Sequence, residues 1–241
     1  MKSPLLLHIP HASAHIPAAY RNSFQGDIAR ELLLMTDRYT DELFDYPAAR
    51  LVFPISRLVC DVERFRDDAM EPMSRRGMGA CYTHGHDGNR IRFLTAEQKE
   101  SLLVRWYDPH HAALAEMTEK QLKEHGRCLI VDCHSFHPTP LPYEPDQREQ
   151  RPDICLGTDP FHTKKETAAA LLKAFAERGY SVSFNTPYAG AIVPLPCCRV
   201  DPRVQSVMIE VNRRLYLKPD FQKSPAFSRV REDIAAALDQ L

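Results

Sequence analysis

Residues 128–138, CLIVDCHSFHP, constrain the fold more than any other stretch. A short apolar run rich in β-branched residues leads into Asp132, Cys133, His134 and His137 and stops at a proline. Such a run, bounded by a polar cluster, predicts a central buried strand that ends at a sheet edge. In open α/β sheets ligands gather beyond the carboxyl ends of the strands, so His134 and His137 stand where chemistry is placed. Asp132 precedes His134 by two residues and shares its face of the strand, a position suited to orienting a histidine. Cys133 points to the opposite face, which argues against a thiol nucleophile activated by its neighbour.

The remaining pattern is one of alternating strands and helices. PLLLHIP is a first strand ending at Pro10 and His11, and residues 28–44 form an amphipathic helix broken near Thr36. RLVFPISRLVCDVERF gives one or two strands, and SRRGMGACYTHGHDGNRIR is a glycine-bearing excursion expected as a lid or hairpin outside the core. Residues 96–126 open with the capping box TAEQ and form a long helix interrupted at Pro109. After strand 128–133 comes a proline-rich surface loop, LPYEPDQREQRPD. Then follow strand ICLGT, helix TKKETAAALLKAFAERG, strand YSVSF, loop NTPYAGAIVPLPCCRVDPR, strand VQSVMIEVN and a last helix over about 224–241. This order predicts a three-layer α/β fold: a mixed, mostly parallel sheet with helices on both faces. The chain has no internal repeat and no evident linker, so residues 1–241 are expected as one domain.

Composition narrows the partners. Lys plus Arg number 31 against 32 Asp plus Glu, so no overall field recruits nucleic acid or a membrane surface. MKSPLLLHIPHASAHIP has too short an apolar run for a leader or a membrane span, and a cytoplasmic location is expected. Seven cysteines, an odd number with no CxxC pair, suit reduced thiols.

Several of these strands end in ionisable residues: His11 on the first, Asp61, Glu63 and Arg64 on LVCDVERF, His134 on LIVDC, and Glu210, Asn212 and Arg213 on VMIEVNRR. Unpaired buried charges are expensive, so these endings are expected to meet one another. Two histidines and a carboxylate make a catalytic zinc site with one position open for water. His11 and His134 would be ligands, and Glu210 would be free to act as general base. The carboxylate ligand would come from Asp37, Asp41 or Glu42 of MTDRYTDELF. His8 lies three residues before His11, so an extended strand would turn it to the other face, and it is assigned to packing. His15, His84, His86, His110, His111, His125 and His162 have no comparable company and are expected to face solvent for the most part.

The blocks IPHAS, TDRYTDELF, SRLVCDVERF, DCHSFHP, DICLGTD, NTPYAGAIVP and SVMIEVNRRLY together resemble the N-formylglutamate amidohydrolase family, from residue 4 to about 216. The resemblance implies a zinc-dependent hydrolase, with one divalent metal ion. It would remove formate from N-formyl-L-glutamate in one route of histidine degradation, on a fold similar to zinc carboxypeptidases and aspartoacylase. It implies His11 and His134 as metal histidines, Glu210 as general base, and Arg64 of DVERF as a catalytic arginine, although Glu63 stands where the aspartoacylase-like motif has Asn. The carboxypeptidase H-x-x-E motif is absent because Ala14 occupies the glutamate position, and Asp37 is chosen over Asp41 as third ligand. The small acidic substrate calls for arginines in fork geometry, with Arg57 and Arg213 expected as clamps beside Asn212, and Arg75 or Arg76 as surface charges. A zinc amidase for another N-acyl amino acid or a small peptide, and a non-catalytic binder of an acidic metabolite, are the alternatives.

Overall fold

The computed structural model describes residues 4–241. The first three residues, part of the stretch read as too short for a leader, lie outside the described residues. Six strands form one sheet: β1 (Leu5–Ile9), β2 (Ala49–Val52), β3 (Cys128–Phe136), β4 (Ile154–Gly157), β5 (Val182–Phe184) and β6 (Val204–Asn212). Their order is β2-β1-β3-β6-β4-β5, and every neighbouring pair is parallel except β4 with β6. The expected mixed, mostly parallel α/β sheet is therefore present. The nine-residue strands β3 and β6 lie at its centre and are buried along their whole length. Strands covered on both faces are apolar nearly throughout, which is why CLIVDC and VQSVMIEV read as continuous runs.

Alternate residues divide the sheet into two faces. Leu5, Leu7 and Ile9 of β1, Leu129, Val131 and Cys133 of β3, and Val207, Ile209 and Val211 of β6 form one core cluster. Leu43 of α3 (Thr40–Leu43), Leu171 and Phe175 of α6 (Lys165–Ala176), and Val230, Ile234 and Leu238 of α7 (Phe227–Leu238) close over it. Full burial of each such side chain contributes about 1.5–3 kcal/mol. On the other face Leu6, Cys128, Ile130 and Val204 pack on Leu114 of α5 (Asp108–His125). Helices therefore cover both faces. Further along that second face, apolar residues give way to His8, Asp132, His134 and Glu210. Register places His8 opposite Asp132, and His134 opposite Glu210.

Three sequence expectations are corrected. LVCDVERF is not a strand: backbone bonds Val59 N to Ser56 O and Asp61 N to Ala80 O hold it as turns. Its apolar residues Val59, Cys60 and Val62 are buried in a second cluster with Phe53, Ile55, Ala80, Leu102 and Tyr107, so the run is apolar because it is a buried turn. The glycine-bearing segment closes as a hairpin at the antiparallel His84–Arg90 bridge, as one of the two alternatives expected, but it is no lid outside the core, since Met78, Ala80, Tyr82 and Arg92 are fully buried there. The third correction concerns Pro109, which does not break the long helix. α4 (Ala96–Leu102), with its Thr95–Gln98 capping box, runs through a π turn over Leu103–Tyr107 into α5, which has Pro109 in its first turn. A wider turn just ahead of a proline accommodates the ring and its missing N–H. The first helical segment breaks near Thr36 as expected. After α1 (Ala18–Arg21), α2 (Ile28–Met35) ends at an extended Thr36, and Tyr39, with φ 64°, starts α3.

Candidate active site

That helix break builds the centre of the site. Asp37 sits in the turn between α2 and α3, its amide bonded to the His11 carbonyl at 3.0 Å and its own carbonyl accepting from the Thr40 hydroxyl at 2.8 Å. β1 has already ended at Ile9, and beyond Pro10 the chain bends, so His11 turns toward Asp37. His134 reaches the same point from near the end of β3. The Asp37 carboxylate lies 3.8 Å from His11 Nδ1 and 3.3 Å from His134 Nδ1. All three residues are buried, with potential ligand atoms within 4.8 Å of one another. Asp41 and Glu42 are elsewhere: Glu42 pairs with Lys223, and the Asp41 carbonyl accepts from Arg50.

Carboxylates stand behind both rings, and the one behind His11 fixes its tautomer. Asp61 accepts from His11 Nε2 at 2.8 Å, and also from Arg57, from the Tyr82 hydroxyl at 2.7 Å and from the Glu63 amide. Burial works against the Asp61 charge, but Arg57 and His11 hold its carboxyl well below the usual range. An ionised carboxylate only accepts, so His11 Nε2 carries the proton and Nδ1 presents a lone pair. That Nδ1 is buried and without a partner in the protein. Asp132 Oδ1 stands 3.0 Å behind His134 Nε2, poorly aligned for a hydrogen bond, and the hydrogen bond of this ring runs from Nδ1 to Asp37 Oδ2 at 3.3 Å. Although burial disfavours its charge, Asp132 and Asp37 hold His134 well above the ordinary histidine range. A cluster that draws a proton onto a buried histidine also suits a cation. Two inward Nδ1 atoms, one inward carboxylate and carboxylate-backed rings match the donor set of a zinc centre.

The centre opens onto a cavity of about 490 Å³ whose lining includes Arg57, Arg64, Tyr143, Tyr188, Glu210 and Arg213. Glu210 is 7% exposed, and its Oε2 has no hydrogen-bond partner. Burial, with Asp37 adding to it against His134 and the arginines, pushes its carboxyl up to about 8. A carboxyl poised there exchanges protons readily near neutral pH. The arginines differ in how far they are already engaged. Arg213 donates to Asp37 at 2.8 Å, to the Leu34 and Ser135 carbonyls and to the Ser135 hydroxyl, so it holds Asp37 in place. Arg57 forks onto Asp61. Arg64 is the least committed, its Nε 3.6 Å from Asp61 without a hydrogen bond and its Nη1 3.9 Å from Glu71. Asn212 is not brought to the cavity: its side chain donates to the Pro152 carbonyl and accepts from the Arg214 amide.

The assignment of His8 to packing is overturned. Because β1 stops before His11, the alternation argument does not reach across Pro10, and both histidines serve the same face. His8 is fully buried, with Nδ1 2.9 Å from Asp132 and 3.1 Å from Glu63, and Nε2 2.8 Å from His110. Burial opposes its charge, yet Asp132 and Glu63 outweigh burial and raise it to about 9. His110 is pushed down to about 2 by burial and by the His8 charge, so it is the neutral acceptor. His162 is buried against the Val204 carbonyl, His111 bonds the Val62 carbonyl, and His86 pairs with Glu31 at 2.6 Å, so these do not simply face solvent either.

A family profile described as N-formylglutamate amidohydrolase matches residues 3–217. No curated protein sequence matches the chain. Among solved structures, N-formylglutamate amidohydrolase from Ralstonia eutropha JMP134 superposes with a TM-score of 0.88 at 22% identity, over 99% of this chain and 92% of that one. Gene product Atu2144 from Agrobacterium tumefaciens gives 0.70 at 21% identity, over 99% and 91%. At these identities the two structures bear on the fold. Among the described residues no helix is long and apolar enough to cross a membrane. The profile spans the segments that carry His11, Asp37, Arg64, His134 and Glu210, and with that match the chain belongs to the N-formylglutamate amidohydrolase family.

Proposed function

We propose that the protein hydrolyses N-formyl-L-glutamate to formate and L-glutamate, as a late step of histidine breakdown in the cytoplasm. His11 and His134, through Nδ1, and Asp37 would hold one zinc ion. The observation that carries this reading is the convergence of those three buried groups, backed by Asp61 and Asp132, beside an unpartnered Glu210. When bound, zinc supplies Lewis acidity to the amide carbonyl and makes water more acidic. Glu210 removes a proton from the water that attacks the formyl carbon. It then returns that proton to the glutamate nitrogen as the C–N bond breaks. Arg64 keeps donors free for the developing oxyanion or a substrate carboxylate, and Arg57 borders the same space. Arg213 acts one step back by fixing Asp37, and Asn212 supports the turn after β6.

The test is metal content and formate release on one purified preparation. Stoichiometric zinc and formate release from N-formyl-L-glutamate are expected, with His11→Ala and His134→Ala losing most of both. Full zinc occupancy in either variant would remove that histidine from the ligand set.

A further inference from the structure

A second cavity of about 330 Å³ adjoins the first, and both are lined by Glu63, Arg64, Phe65, Ala189 and Met208. Phe65 and Ala189 are exposed, so the two spaces meet over a solvent-open rim. The floor of the second space is set by the strands. Asp132 and Met208 border it, each two residues before the reaction-site residues His134 and Glu210 on the same strand faces. It therefore lies one pleat repeat back along β3 and β6, a step of about 6.6 Å.

Its walls are largely apolar: Val62, Phe65, Ala191, Ile192, Val193 and Leu195. Most polar groups along it are already partnered, the exception being Arg64, which borders both cavities and whose Nε makes no hydrogen bond. Tyr107 donates to the Arg64 carbonyl at 2.8 Å, His111 bonds the Val62 carbonyl at 2.9 Å, and Asp132 and Glu63 face His8. The Arg64 guanidinium pairs toward Glu71, which lines the first cavity and not the second. A charged amino-acid half is thus served in the first cavity, where Arg57 and Arg64 are. The uncharged half of an amide is what the second space fits.

Resting on the proposed amide hydrolysis, we propose that the second cavity is an acyl subsite, and that the protein also cleaves N-acyl-L-glutamates carrying an unbranched apolar acyl chain. A step of about 6.6 Å corresponds to roughly five carbon–carbon bonds of an extended chain, so hexanoyl reaches the subsite and acetyl does not. Water adds to the acyl carbon, the amide C–N bond breaks, and the carboxylate and free glutamate leave, as with formyl.

The metal-loaded full chain should be assayed on N-formyl-, N-acetyl- and N-hexanoyl-L-glutamate. Hexanoyl is expected to exceed acetyl in kcat/KM, because each methylene placed in an apolar space is worth about fourfold. Ala191→Leu, which fills only the second cavity, should lower hexanoyl turnover about tenfold or more and leave formyl turnover within twofold. A readout without turnover uses Glu210→Gln: N-hexanoyl-L-glutamate should slow alkylation of the exposed Cys198, which lines the subsite, and N-formyl-L-glutamate should not. Formyl cleavage with no hexanoyl cleavage and unprotected Cys198 overturns the acyl subsite and leaves the proposed function standing. Hexanoyl cleavage without formyl cleavage supports the subsite and overturns the formyl assignment. Failure on all three substrates by zinc-loaded protein overturns both.

Discussion

The central strands β3 and β6 present two faces that obey different rules. On one, Val131, Cys133, Val207, Ile209 and Val211 meet helices α6 and α7 with no ionisable side chain but a buried thiol. On the other, displaced by a single residue, Asp132, His134 and Glu210 are as deeply buried but carry charge. The first face gains stability directly from area removed from water. The second must offset the burial of each charge with a partner, and it does so in layers: Arg213 on Asp37, Arg57 and Tyr82 on Asp61, His8 on Asp132. Glu210 is the member left without such a partner, and that imbalance is what supports the general-base role proposed for it.

Breaking the charged face at its least compensated point should have the largest effect. Glu210→Gln is expected to keep zinc and fold while lowering kcat by roughly 10²–10⁴-fold, since an amide cannot take the proton from the attacking water. Measured on one sample, bound zinc with near-normal turnover would contradict the general-base role. The apolar face should respond in the opposite currency. Phe175→Ala removes a ring fully buried under the sheet and should cost about 3–5 kcal/mol in chemical denaturation, with kcat of the folded fraction unchanged. A matching loss of kcat would show that the two faces are not separable.

The layer between these extremes can be weighed through metal affinity. Asp132→Asn leaves the ligands in place but replaces the carboxylate behind His134, so zinc affinity should fall by roughly 10–100-fold. Competition with a chromogenic chelator measures this, and unchanged affinity would reduce Asp132 to a partner of His8 alone.

Much of this comparison was legible in the sequence, and the limits are instructive. The buried strands, the break near Thr36, and the gathering of His11, His134 and Glu210 follow from apolar runs and from the cost of unpaired charge, whereas Asp37 stands beside Asp41 and Glu42 as an open choice until the family resemblance is weighed. The role of His8 did not follow, because it depends on the register that sets His8 beside Asp132 and on a strand that ends two residues before His11. Sequence alternation carries neither fact. Asp61 is visible in DVER, but the apolar pattern around it reads as a strand. Only the buried turn brings it behind His11, together with Tyr82 from a segment expected as a lid or hairpin outside the core. Arginine roles were the least legible, since Arg57, Arg64 and Arg213 are alike in sequence and differ only in how many donors are already engaged.

The smallest expected effect isolates the cost of leaving Glu210 unpaired. In chelator-stripped protein its carboxyl is raised to about 8, whereas in the unfolded chain a glutamate titrates near 4.3. Between those values the folded protein holds a proton that the unfolded chain has released, so stability is fullest below about pH 4.3 and falls as pH rises toward 8. His8, raised to about 9, acts in the same direction between its unfolded value near 6.5 and pH 9. Asp37, held well below the usual carboxylate range, works the other way, but only in acid, where its contribution is lost as pH falls. His110, pushed down to about 2, opposes this below about pH 6.5, where the unfolded chain takes up a proton that the folded chain refuses, so melting temperature of the stripped protein should decline from about pH 7 to pH 8. Glu210→Gln removes the glutamate contribution and keeps that of His8, so its decline should be shallower by a few degrees, with the two proteins closest at the pH 7 end. Parallel melting curves across that range would mean that Glu210 is neutralised by a neighbour and is no freer than the charges around it.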